Sequence, residues 1–134
     1  MKQLIDFLQQ SDALTCPADA VTIDHAQQQL NMTFADDYTA LQQNIGVISY
    51  RSHEVFGLGV KESAWLNILR STPELRAENA AFPASAVPLM DAGDGQFYLY
   101  DNDHGTILVW SSLAGIIETQ NVSLEAFLLT QLAN

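Results

Sequence analysis

Basic residues are scarce in this chain. Five Lys and Arg stand against sixteen Asp and Glu, which gives a net charge of −11 and an isoelectric point near 4.2. No Lys or Arg follows Arg76, whereas seven acids do. Such a field repels phosphate backbones and anionic lipid surfaces, so we expect neither a nucleic acid nor a membrane as partner. A basic protein would be attracted, although an acidic surface can also serve solubility alone.

Cysteine and long apolar runs are also scarce. Cys16 is the only cysteine, so no disulfide can form within the chain and nothing indicates an oxidising compartment. Asp6 interrupts the apolar residues of the N-terminal ten, which therefore lack the apolar core of a signal peptide. No apolar run approaches the ~20 residues that span a bilayer. We therefore expect a cytoplasmic protein.

Neither a repeat nor a long linker divides the 134 residues, and this length is typical of one domain. Periodic apolar residues predict helices over residues 2–10, from Thr22 to about Leu30, and over 33–46. Ser11–Ala20 is interpreted as a loop. Thr72 and Pro73 predict the start of another helix that ends near Asn79, and Ser123 is expected to cap a last helix that reaches Leu132.

Strand patterns occupy the remaining segments. The predicted strands are Val47–Tyr50, Val55–Leu58, Ala86–Met90, Gln96–Tyr100 and Thr106–Trp110. Pro88 indicates that its strand lies at a sheet edge or that the proline stands at a strand end. Asp- and Gly-rich turns at 91–95 and 101–105 predict an antiparallel meander. The order of elements indicates an α+β fold, with a mostly antiparallel twisted sheet flanked by helices.

Residues for catalysis or metal binding are not grouped in the sequence. His25, His53 and His104 are scattered and Cys16 has no partner cysteine, so we expect no metal site. The two Asp/Gly turns lack the spacing of a calcium-binding loop. No nucleophile elbow or phosphate-binding loop is present, so neither an enzyme nor a cofactor is predicted. The adjacent acids Asp36 and Asp37 are interpreted as complements to a helix dipole, with acid–base chemistry left open.

Aromatic residues cluster in the C-terminal strands. Alternation places Phe97 and Leu99 on one face of their strand and Tyr98 and Tyr100 on the other. One face is expected to pack in the core, and the second is either covered by helices or exposed for binding. We interpret Trp110 as a core residue.

Several motifs in order resemble the SUKH superfamily. Residues 34–46 are similar to its "LPxDYxxFLxxxNG" helix and Val87–Asp101 to its "IPIAxDGxGDxYxLD" hairpin. Further similar segments are Phe56–Leu58, Arg70–Arg76, Gly105–Trp110 and Ser123–Leu128. The resemblance covers about residues 21–132 and begins after the predicted N-terminal helix. We predict that residues 1–134 form one domain. Ile45, Gln96 and Ser111 depart from the family pattern, which affects the subfamily more than the fold.

The resemblance implies an α+β domain without catalytic activity. Many bacterial members are proposed immunity proteins that bind and neutralise toxins, often nucleases, and some relatives are regulatory scaffolds. We therefore predict an immunity protein whose partner is a basic cognate toxin. We expect the immunity protein itself to be a monomer or a weak homodimer. The alternatives are a regulatory or scaffold module for an endogenous partner and an enzyme or small-ligand binder. The residues expected to contact the partner are Asp91, Asp94, Asp101, Asp103 and Glu118.

Overall fold

The computed structural model describes residues Met1–Asn134 and contains five helices and seven strands. The helices are α1 (Lys2–Gln9), α2 (Ala20–Leu30), α3 (Asp36–Asn44), α4 (Ile68–Glu78) and α5 (Leu124–Leu132). The strands are β1 (Leu14–Cys16), β2 (Val47–Tyr50), β3 (His53–Val55), β4 (Ala86–Gly93), β5 (Gln96–Asp101), β6 (Thr106–Ser111) and β7 (Gly115–Gln120). No helix has the length and apolarity needed to cross a lipid bilayer.

The strands form two antiparallel sheets, which confirms the α+β class. The first sheet has the order β1-β2-β3 and the second the order β4-β5-β6-β7. The backbone N–H of Phe56, directly after β3, donates to the carbonyl of Leu89 in β4 at 2.8 Å. The sheets therefore meet at the β4 edge. Pro88 lies in this edge strand, which is one of the two positions predicted from its missing N–H.

Side chains cover both faces of the four-stranded sheet. On one face, Tyr100 and Ile107 belong to a core of 25 buried residues to which α1, α2, α3 and α5 contribute. On the other face, Leu99 and Trp110 pack with Leu75 of α4 in a cluster of six. The prediction of a core position for Trp110 is confirmed, because this side chain is fully buried. Both faces of the aromatic strand are thus covered.

The loop predicted over Ser11–Ala20 is wrong in part, because this segment contains a strand and the first residue of α2. Leu14–Cys16 forms β1 and pairs with β2, where Thr15 lies opposite Ile48. The carbonyl of Cys16 is enclosed by Gly46 and Gly59, where a Cβ atom would stand 1.8 and 1.7 Å from its oxygen. Both glycines have positive φ, of 71° and 93°, so a side chain would be excluded by strain and by contact. Such long-range packing leaves no local sequence signal.

The starts of α2 and α4 also differ from the predictions. Asp19 caps α2 and accepts a hydrogen bond from the Thr22 N–H at 2.8 Å. Asn67, rather than Thr72, caps α4 and accepts from the Leu69 N–H at 2.9 Å. Pro73 consequently lies inside the helix. Proline has no backbone N–H, so the helix lacks one hydrogen-bond donor at this position. The earlier start adds about one helical turn, which contains the fully buried Ile68.

The strand prediction missed two elements, β1 and β7, and shifted another. The strand predicted at Val55–Leu58 is shifted, because β3 spans His53–Val55. The strand β7 had no prediction, because its side chains do not alternate between buried and exposed. The register between β6 and β7 shifts between Val109 and Trp110, and such a bulge interrupts the two-residue period. By contrast, Ser123 caps α5 as predicted and accepts from the Ala126 N–H at 3.1 Å.

Candidate partner-binding surface

The end of β4 and the turn that follows it present two of the five predicted contact residues to solvent. Asp91 and Asp94 are both exposed, together with the glycines that flank Asp94. Asp94 and Gly95 have φ of 56° and 74°, the left-handed conformation that Asp and Gly tolerate in tight hairpin turns. One carboxylate oxygen of Asp91 accepts from the Gly93 N–H at 2.8 Å. The carboxylate of Asp94 makes no hydrogen bond within the chain and is available to a partner.

The turn between β5 and β6 uses its first acid internally. Asp101 is 8% exposed. Its carboxylate accepts hydrogen bonds from the Ser85 hydroxyl at 2.8 Å and the Asp103 N–H at 2.9 Å, and it contacts Nδ1 of His104 at 2.8 Å. The carboxylate of Asp103 remains exposed. Of this pair of predicted contact residues, Asp103 is therefore the more accessible.

The contacts of Asp101 shift two ionisation equilibria. Burial alone would raise the pKa of Asp101, but hydrogen bonds from Ser85, His104 and the Asp103 N–H outweigh burial and lower that pKa below its ordinary value of 3.8. The hydrogen bond to Asp101, with the charge of that carboxylate, raises the pKa of His104 above its ordinary 6.5. The imidazolium form of His104 and the carboxylate form of Asp101 therefore stabilise each other.

Neighbouring hydrogen bonds attach this turn to α3. Asn102 is 8% exposed. Its side-chain oxygen accepts from the Ala35 N–H, which precedes α3, at 2.8 Å, and its amide donates to the Ser85 carbonyl at 3.1 Å. Buried side-chain bonds of this kind hold elements in a single arrangement. The β5–β6 turn is therefore part of the internal architecture, and the β4–β5 turn is a free hairpin end.

The fifth predicted residue, Glu118, lies on the edge strand β7. Its side chain is exposed, and a carboxylate oxygen is 3.4 Å from the amide nitrogen of Gln120. The same region exposes large apolar side chains that the sequence reasoning missed, namely Leu113 (95%), Ile116 (48%) and Ile117 (52%). Half of the six exposed large hydrophobic residues in the chain are these three. An unusual concentration of exposed apolar side chains is a common mark of an interaction surface.

The predicted residues do not form one continuous patch. Asp94 precedes β5 and Asp103 follows it, so these acids lie at opposite ends of a six-residue strand. At about 3.3 Å per residue, the two ends are separated by roughly 17 Å. Glu118 pairs with Val109, in the middle of β6. The acids thus lie at the two ends of the sheet and on its edge strand β7, which extends between those ends.

Two grooves flank this sheet. The larger, with a volume of about 540 Å³, lies against β6 and β7. Its lining residues are Pro83, Asp101, His104, Thr106, Leu108, Ile116, Thr119 and Asn121. The smaller, of about 200 Å³, lies where β3 approaches β4. It contains Trp65, which packs edge-on against Phe56 with ring centroids 5.7 Å apart.

The residue types that commonly carry catalysis are dispersed in the fold. His25 contacts Glu62 at 3.2 Å, His53 contacts the backbone oxygen of Asn134 at 2.9 Å, and His104 contacts Asp101. No group of three or more His, Cys, Asp and Glu is arranged to hold a metal ion.

Positive charge lies in the other part of the chain. The five basic residues are Lys2, Arg51, Lys61, Arg70 and Arg76. The last of them, Arg76, donates to the backbone carbonyls of Leu30 and Ala84, each at 3.1 Å. The strands β4 to β7 and α5 contain only acids among their Asp, Glu, Lys and Arg residues. The sheet surface is therefore strongly negative.

Comparisons with known proteins are consistent with this architecture. A crystal structure of a protein from Pseudomonas syringae pv. tomato superimposes with a TM-score of 0.74 and 17% sequence identity, covering 93% of this chain and 92% of that one. At this identity the likeness shows a shared fold. The comparison with curated proteins gave no significant match. The family model SUKH_6, described as "SMI1-KNR4 cell-wall", matches residues 21–128. Because this match spans most of the chain, the protein belongs to the SUKH (SMI1-KNR4) family.

Proposed function

We propose that this protein is an immunity protein that binds a cognate bacterial toxin and neutralises it by occupying the toxin's basic surface. One observation carries the proposal. The four-stranded sheet exposes Asp91, Asp94, Asp103 and Glu118, while no basic residue lies anywhere in its strands. A nuclease toxin needs positive charge to bind phosphate, and that charge would be attracted to this sheet.

Electrostatic attraction of this kind acts mainly on association. A field of one sign raises the rate at which an oppositely charged partner arrives, by about 10- to 1,000-fold, and salt weakens the effect. Fast capture suits a protein that must reach a toxin before the toxin acts. Asp101 contributes to the field, although its carboxylate is held by Ser85 and His104.

The first experiment tests the function itself. The reading frame beside this gene is cloned, and its product is expressed with and without this protein in a host that the product inhibits. We expect growth to be restored by co-expression, and binding between the two purified proteins. Continued inhibition by a neighbouring toxin despite abundant, folded protein would contradict the proposal.

The second experiment tests the charged surface. In the double variant Asp91→Lys/Asp94→Lys, we expect association with the toxin to slow by about tenfold or more at low salt, with a smaller salt dependence. The matched control is Asp12→Lys/Asp24→Lys, which makes the same change of net charge at exposed positions outside the four-stranded sheet. Stopped-flow or surface-based kinetics measure both. Equal association rates for the two double variants would show that this hairpin does not contact the toxin.

A second candidate is a regulatory or scaffold module for an endogenous protein. The words "cell-wall" in the description of the matching family model favour it. Affinity purification distinguishes the two functions. Recovery of one endogenous complex, disrupted by the same charge reversal, together with no protection from any neighbouring gene product, would favour the scaffold.

A further inference from the structure

The strand β7 is an open edge of the four-stranded sheet. The opposite edge, β4, contains Pro88 and receives the N–H of Phe56 on the carbonyl of Leu89. In β7, which pairs only with β6, residues 116–119 are exposed. Proteins normally protect such edges, because a free strand edge can pair with another chain. The bulge and Glu118 give β7 partial protection, but no proline or lysine lies in this strand.

Hydrogen bonding determines which backbone groups face outward. In an antiparallel sheet, successive residues direct their N–H and C=O groups to opposite neighbours. The Ser112 N–H donates to the Gly95 carbonyl at 3.2 Å, one position beyond the Gln96–Ser111 pair. That pair is therefore of the non-hydrogen-bonded kind. Ser111, and every second residue before it in β6, consequently directs its backbone groups toward β7.

The register extends this alternation to β7. The β7 residues opposite the inward-directed β6 residues Ser111, Val109 and Ile107 are Gly115, Glu118 and Gln120. These three residues hold β7 on the sheet. Ile116 and Thr119 lie opposite the β6 residues that point to β5, so their N–H and C=O groups face solvent. The edge thus offers two residues whose donors and acceptors are available to a further strand.

The side chains beside this edge fit an apolar and basic segment. Ile116 and Thr119 line the groove of about 540 Å³ on one face of the sheet, together with Leu108. Leu113 extends the apolar surface at the turn before β7. Acids lie at both ends, with Asp94 near the β4–β5 turn and Asp103 near the β5–β6 turn. An added strand with alternating side chains could place apolar groups in the groove and basic groups near the acids.

We infer that β7 is the docking strand for an extended basic segment of the protein partner, which continues the sheet by β-strand addition. This inference rests on the proposed function and names the structural element that the toxin would use. A second copy of this chain fits less well, because each copy has a net charge of −11 and two copies paired through β7 would bring their acidic sheets together. Backbone bonds would supply affinity, and the charges would select the partner.

A peptide probe tests the edge without requiring the toxin. A ten-residue peptide of alternating Lys and Val is titrated to millimolar concentration into the isotope-labelled protein, and amide resonances are recorded. We expect the largest shifts and slowed amide exchange at Ile116 and Thr119. The matched peptide of alternating Glu and Val should leave both unchanged. Shifts confined to another surface, or no shifts with the Lys peptide, would overturn the inference, as would dimerisation of the free protein through β7.

A pair of variants tests the edge in the protein. Thr119→Pro removes an outward N–H and spares the ladder to β6, whereas Thr119→Val keeps that N–H. We expect Thr119→Pro to weaken Lys-peptide and toxin binding about tenfold, with Thr119→Val close to the original protein. If a folded Thr119→Pro protein still protects against the toxin to the same degree, the proposed immunity function is supported and docking on β7 is contradicted. If the peptide docks on β7 but no toxin is neutralised, the edge stands and the function is wrong.

Discussion

The β4–β5 and β5–β6 hairpins of the four-stranded sheet contain the same residue types but place them differently. Asp91 and Asp94 of the β4–β5 hairpin extend into solvent, whereas Asp101 of the β5–β6 hairpin is almost completely buried. Asp101 accepts from Ser85 and the Asp103 N–H and contacts His104. Asp and Gly therefore predict a turn from local backbone preferences, while the role of each carboxylate depends on the groups that the fold places beside it.

The largest expected effect is on stability and separates the two turns directly. Asp101→Ala leaves the Ser85 hydroxyl and the Asp103 N–H without their acceptor, which should lower the free energy of unfolding by about 2–3 kcal/mol. Asp91→Ala removes one exposed hydrogen bond and should cost less than about 0.5 kcal/mol. Urea denaturation of both variants measures the difference. Similar decreases in the free energy of unfolding of the two variants would show that Asp101 stabilises the fold no more than Asp91 does.

A smaller effect should appear as a pH dependence that belongs to the buried turn. The pKa of Asp101 is lowered, so its stabilisation is present above about 3.8 and is lost as pH falls through the folded-state pKa. The pKa of His104 is raised, so its contribution is complete below about 6.5 and is lost as pH rises through the folded-state pKa. The pair therefore contributes most between these two values.

Thermal unfolding across pH measures this dependence. The difference in stability between the original protein and His104→Gln should be largest between pH 4 and 6.5 and should decline on both sides. Because His104 is well exposed, solvent screening keeps the difference small. A difference that does not change with pH would mean that the Asp101–His104 contact does not persist in solution.

The smallest expected effect concerns the free turn. Asp94→Asn keeps a residue that tolerates the left-handed conformation and removes only the charge. We expect unfolding to be unchanged within about 0.5 kcal/mol, while toxin association slows because one acid is lost. Measured together, stability and association rate separate a structural carboxylate from a contacting one. A marked loss of stability would show that Asp94 has a structural role as well.

Local signals predicted much of the fold. The helix predicted within residues 33–46, the Ser123 cap and the edge position that Pro88 allowed are all confirmed. These features depend on interactions within a few residues, which a sequence displays. The predicted start of α4 was wrong because Thr72 and Asn67 are both suitable N-cap residues. Burial of Ile68 favours the start at Asn67.

The candidate surface was predictable only in part. The acids were visible in the sequence, but the separation of Asp94 from Asp103 by the length of β5 was not. The exposed apolar residues of β7 went unnoticed because a bulge removes the alternation that marks a strand. Their exposure follows from the position of β7 at the sheet edge, which depends on pairing between strands rather than on side-chain pattern.

The charge, the α+β class and the positions of the Asp- and Gly-rich turns follow from composition and short-range periodicity alone. Tertiary structure decided which aspartate is buried, which edge of the sheet stays open and which face carries the groove. Those outcomes arise from contacts between residues far apart in the chain, such as Asn102 with Ala35 and Phe56 with Leu89. A carboxylate or a strand edge acquires its role from such neighbours, and the fold supplies them.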